Sequence, residues 1–138
     1  MFNVLGDINW LAFGVAAVAS IVLAGVWFAV VVAKPYAESL GREGEAPPPV
    51  TAVSAAGPIV CQIITLLTSA VLVEALGITS IADAVAFGLV VGVGYLTAMV
   101  FQVAINPNVP RPLLYGLVNA PYFVGTSVLS SVILVAVG

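Results

Sequence analysis

Polar side chains recur at helical spacing inside long apolar runs of this chain. In the last run Tyr115, Asn119, Tyr122, Thr126 and Ser130 follow one another at intervals of four, three, four and four residues. Residues three and four apart share a helix face, so these five form one stripe. Gln62, Thr65 and Ser69 form a shorter stripe upstream, and Gly88, Gly92, Tyr95, Met99 and Gln102 share a face between the two. Amides and hydroxyls in apolar surroundings have two uses. They hydrogen-bond across helices and hold them in register, or they line a path for a small solute or ion. Register-keeping is the expected role here, with path lining as the alternative. The candidates for a polar interior or pathway are Gln62, Thr65, Tyr95, Gln102, Asn119, Tyr122 and Thr126. Gly88 and Gly92, in GLVVG, make the GxxxG pattern that lets two helix backbones approach closely, and are expected to pack helices.

Covalent and metal chemistry have little to work with. The chain has no histidine and a single cysteine, Cys61. A Cys/His zinc site, an intrachain disulfide and a dithiol redox pair all need more ligands than that. Cys61, in an apolar run, is expected to be a small packing residue. Glu74 falls at a helix end and Asp83 at a helix start, whereas a proton- or cation-coupled carrier keeps an acid near the bilayer centre. No carboxylate pair or activated nucleophile is left for catalysis. The expectation is a protein that is not an enzyme and takes no metal and no cofactor. Three basic residues against six acidic ones also exclude a nucleic-acid surface and a polybasic lipid patch. Trp10, Trp27, Phe28 and Tyr36 are expected to anchor helix ends at a membrane interface.

The elements that must position these residues follow from hydropathy. Of the 138 residues, 62% are hydrophobic and 7% charged, against about 45–50% and about 25% in soluble domains. Such a chain cannot cover a water-facing surface. It has room for one domain, residues 1–138. Four runs reach the length of about 20 residues that crosses a bilayer: 9–33, 51–76, 81–105 and 113–137. They are continuous, unlike the short alternating segments of membrane strands. The expected fold is all-α, an integral membrane bundle of four transmembrane helices. The first run is preceded by no basic residue and is longer than the apolar core of a signal peptide, so it reads as a retained helix.

Punctuation supports these limits. Lys34-Pro35 is expected to stop the first helix, because proline disfavours helical geometry in the residue before it. A hydrophilic linker, 34–49, follows it. Gly77 suits a helix C-terminus, and Thr79 or Ser80 suits the next N-cap. NPNVPRP (106–112) must bend. Four spans place both termini on one side and the linkers 34–49 and 106–112 on the other. Lys34, Arg42 and Arg111 all lie on those linkers. Basic loops stay cytoplasmic, so both termini are expected outside the cytoplasm.

The stretch NWLAFGVAAVASIVLAGVWF followed by AKPY, with Asn9, Gly25, Trp27 and Phe28, resembles the opening of bacterial small four-helix membrane proteins catalogued as domain of unknown function 1761. LGITSIADA, a glycine-rich third helix ending at Asn106, and Arg111-Pro112 before the last helix are similar to that family's second half. The resemblance implies a four-helix integral membrane protein and no particular activity. The expected role is a small non-enzymatic protein of the inner membrane, in contact with the lipid bilayer, that forms a homo-oligomer or joins other membrane subunits. The alternative is an oligomeric channel or transporter for a small solute or ion. The first helix lacks the embedded glutamate on which small multidrug exporters rely.

Overall fold

The computed structural model describes residues 2–138. Five helices are present and, among the described residues, no strand. They are α1 (Trp10–Val31), α2 (Ala33–Ser39), α3 (Ala52–Leu76), α4 (Ile81–Ala104) and α5 (Pro112–Val137). All except α2 are long and apolar enough to cross a membrane.

Each long helix begins where a side chain or a proline deals with its unpaired N–H groups. The Asn9 side chain accepts from the Leu11 and Ala12 amides at 3.0 and 3.1 Å. Thr51 and Ser54 cap α3 reciprocally. Ser80 accepts from the Asp83 amide at 3.0 Å, with Asp83 in the first turn of α4. Pro112 opens α5, a position that needs no donor. Gly77, at φ +64°, ends α3 in the left-handed region that glycine enters freely.

The first span ends differently from the expectation. Regular geometry gives way to a π turn over Trp27–Val31, closed by a 2.9 Å bond from the Val32 amide to the Trp27 carbonyl. Helix then resumes as α2, with Lys34 and Pro35 in its first turn. Proline is tolerated there because first-turn amides have no partner within the helix. The segment 34–49 is therefore helical as far as Ser39 and irregular only afterwards.

Helix α5 is the centre of the bundle. It touches every other helix and buries nine residues, against four in α3. Gly88 and Gly92 of α4 sit directly on it. A Cβ added at Gly88 would lie 2.6 Å from the Val128 Cα, and one at Gly92 would lie 2.9 Å from the Val124 Cα. On the other side of the same interface Gly116 of α5 receives the Phe101 ring. At the opposite face of the bundle Ala12, Ala16 and Ala17 of α1 pack with Leu66, Ala70 and Val73 of α3 and with Leu134 of α5.

A Gly88→Ala variant should lose about 1–3 kcal/mol, because Val128 backbone stands where the new methyl must go. Gly14→Ala meets nothing within 4 Å and should leave stability unchanged or slightly raised. Thermal unfolding of both variants in the same detergent checks the contrast.

Candidate functional site

Helix α3 packs by its second half. Its buried residues are Leu66, Ser69, Ala70 and Val73, and no residue before Leu66 is buried. Beside the unburied half a cavity of about 450 Å³ opens between α3, α1 and α5. Ala24 and Phe28 come to it from α1, Tyr36 from α2, and Tyr122 and Phe123 from α5. Pro58, Cys61, Gln62 and Thr65 form the α3 wall. Among the described residues, no charged side chain lines it.

Its aromatic side is one continuous cluster. Phe28 meets Tyr36 edge to face at 5.4 Å between centroids, and meets Tyr122 in the same way at 5.1 Å. Phe123 lies 5.1 Å from Tyr122, and Tyr115 lies 5.8 Å from Tyr36. These distances lie in the favourable range for aromatic pairs, each worth about 0.5–1.5 kcal/mol. The π turn at Trp27–Val31 shapes the cluster, since it advances the inward face to Val32 and Tyr36. Trp27 itself donates its indole N–H to the Val118 carbonyl at 3.0 Å. That carbonyl lies one residue past Leu117, whose helical donor Pro121 lacks. The indole therefore pins α1 to α5 one residue away from the carbonyl that Pro121 leaves without its helical donor.

The polar groups of the cavity are few. The Tyr122 hydroxyl donates to the Gln62 amide oxygen at 3.4 Å, a long bond. The Thr65 hydroxyl donates to the Cys61 carbonyl of its own helix at 2.9 Å. Burial pushes the Tyr36 hydroxyl up to about 12, with Tyr115 beside it adding to the shift, so it stays a neutral donor through the physiological range.

Of the seven residues singled out for a polar interior, the cavity brings together Gln62, Thr65 and Tyr122. Asn119 and Thr126 are buried on α5, about one turn to either side of Tyr122. Tyr95 and Gln102 do not belong with them: both point outward, Tyr95 with 69% of its surface exposed. The cause is a second π turn, Gly92–Thr97. A π turn takes up one more residue than an α turn, so the face that carries Gly88 and Gly92 continues through Thr97, Phe101 and Ala104. Met99, on the expected face, is likewise exposed.

The stripes also bond differently from the expected cross-helix pattern. Asn119 donates to the Tyr115 carbonyl at 2.7 Å, Ser69 to Thr65 at 3.0 Å and Ser131 to Ser127 at 2.7 Å, all within their own helices. Ser20, Thr97 and Thr126 have buried hydroxyl oxygens with no partner among the described residues. What the stripes supply to the bundle is mainly small volume.

Several residues sit differently from what their sequence context predicts. Phe28 and Tyr36 are cavity walls rather than free interface anchors. Cys61 is exposed at the cavity edge rather than packed. Pro58 and Phe123 carry no sequence signal for this role. At the end of the bundle beyond the cavity, Arg111 pairs with Glu38 and, at 2.7 Å, with Glu43. The Arg111 amide also donates to the Ser39 carbonyl at 3.3 Å, so the two linkers meet.

A family model described as protein of unknown function (DUF1761) matches residues 11–135. The chain belongs to this family. No curated protein and no solved structure matches it. The DUF1761 match takes in both π turns and every residue of the cavity wall. The site is therefore part of the family's domain, and the family's description assigns it no activity.

Thr126 tests whether the interior of this DUF1761 bundle is dry. A buried hydroxyl without a partner costs about 1–3 kcal/mol. Thr126→Val keeps the shape and removes that hydroxyl, so the variant should unfold at a higher temperature than the parent. A lower unfolding temperature would mean that water satisfies the hydroxyl.

Proposed function

We propose that this protein is a non-enzymatic component of a bacterial inner membrane that works as a homo-oligomer or as a subunit of a larger membrane assembly. The observation that carries this reading is the first half of α3. From Ala52 to Ala56 every residue is exposed, and the stretch AVSAAG is made of small residues apart from one valine. Hydrocarbon does not drive apolar helices together; small residues that permit close backbone approach do. Gly88 and Gly92 are already occupied by α5 within the chain, whereas the small-residue face of α3 remains free for a partner. In this reading the lipid bilayer covers the remaining apolar surface. Lys34, Arg42 and Arg111 then lie on the cytoplasmic side and both termini on the other.

A second reading has one observation in its favour. The cavity offers Gln62, Thr65 and Tyr122 without any charge, which suits an uncharged solute in a small channel or transporter. Flux in proteoliposomes that is lost on Gln62→Leu would support it.

Cys61, the single cysteine, reports on the α3 face directly. Oxidation of native membranes should produce a disulfide-linked dimer through Cys61, and Ala56→Leu should reduce its yield severalfold. Native mass spectrometry should then give a multiple of the 14.0 kDa chain or a mixed mass with other polypeptides. A monomer with no cross-link would discard the assembly reading.

A further inference from the structure

We propose that the aromatic cavity is a binding site for an uncharged lipophile whose planar ring head carries a carbonyl oxygen, the chemistry of membrane quinones. The inference rests on the membrane placement proposed above and not on oligomerisation.

Size comes first. The cavity of about 450 Å³ falls within the range of about 300–1,000 Å³ typical of small-molecule sites. Charge comes next. Among the described residues no acidic or basic side chain lines the cavity, so none of them recognises a phosphate or an ammonium head. The lining instead presents aromatic surfaces. Phe28 packs edge to face against both Tyr36 and Tyr122, at interplanar angles of 67° and 64°. All three rings, and Phe123 beside Tyr122, line the cavity, and offset or edge-on contacts with such rings favour a flat aromatic guest.

The acceptor is set by Gln62. Among the described residues its one hydrogen bond is the long contact that its oxygen accepts from Tyr122. The amide NH₂ group is left to find an acceptor elsewhere. Gln62 lies ten residues beyond Ala52, the first residue of α3 (62 − 52 = 10). At about 1.5 Å per residue this is about 15 Å from the linker end of the helix, near the middle of a hydrocarbon layer about 30 Å thick. Water is scarce at that depth and an unpaired amide is costly. A ligand carbonyl accepts from the amide, while an apolar tail leaves past Pro58 and Ile59, which are exposed on the outer side of the cavity. Entry from the bilayer follows from the same exposure.

The test uses the full chain in mild detergent with decylubiquinone as the probe, read by native mass spectrometry. One probe per chain should bind saturably. Gln62→Leu should raise the half-saturating concentration about tenfold, which corresponds to the loss of about 1.4 kcal/mol. Ala24→Phe, which fills the cavity from α1, should abolish the adduct. Tyr95→Phe, on the outer surface, should bind like the parent. Circular dichroism verifies that each variant keeps its helix content. If Ala24→Phe disturbs the fold, Gln62→Leu alone decides. Non-saturable adducts, unchanged binding by Gln62→Leu, or equal binding of decylbenzene, which lacks oxygen, would overturn the proposal. Decylbenzene binding would mark the cavity as a groove for any lipid tail. Loss of the ligand with Cys61 cross-linking intact would discard this inference and leave the assembly reading standing.

Discussion

Close backbone approach along α5 is the constraint on which the rest of the bundle depends. In hydrocarbon, apolar side chains gain nothing by leaving their surroundings for one another, so contact must come from dispersion at short range. Glycine, alanine and serine make short range possible. Gly88 and Gly92 bring α4 against Val124 and Val128, Gly116 admits the Phe101 ring, and Ser127, Ser130 and Ser131 keep the buried face of α5 narrow. Each serine satisfies its hydroxyl on its own helix or leaves the helix backbone to do the bonding, so α5 presents little polarity to its neighbours.

The same logic divides the bundle into two unlike ends. Near the termini, Ala12 and Ala16 are fully buried against Leu66 and Ala70, and little space remains. Toward the linkers, large rings replace alanines. Phe28, Tyr36 and Tyr122 cannot interlock as closely, and α3 has no buried residue at that level. The cavity is the volume left by that change of side-chain size. Arg111 holds the linker end shut across α2 and the loop after it, through exposed pairs that contribute at most about 1 kcal/mol each.

Much of the fold was legible in the sequence because the signals were local. Hydropathy marks the four long helices, and Gly77 and Ser80 mark two of their ends for reasons of capping and backbone geometry, whereas Pro112 reads as part of a bend and is in fact the first residue of α5. The buried stripe of α5 was legible because that helix keeps one period from end to end. The site was less so. Gln62, Thr65 and Tyr122 emerge from periodicity, but Tyr95 and Gln102 are misplaced by a π turn that leaves no compositional trace. Tyr36 reaches the cavity because helix continues past Pro35, and a proline reads equally well as a stop or as a first turn.

The π turn in α4 has a consequence for comparing relatives. One surplus residue between Gly92 and Thr97 joins two helical segments whose inward faces are each regular but out of phase. Removing that residue would not shorten the membrane crossing in any important way. It would let the turn close as regular α-helix with Thr97 and Phe101 still facing inward, whereas closing the turn with the residue retained would rotate the second segment by about 100° and bring Met99 and Gln102, rather than Phe101, toward Gly116. Within a family, the two segments behave as separate blocks of evolutionary descent. An alignment that forbids a single-residue gap at this point will pair inward-facing positions of one member with lipid-facing positions of another, and will hide whatever similarity the second block retains.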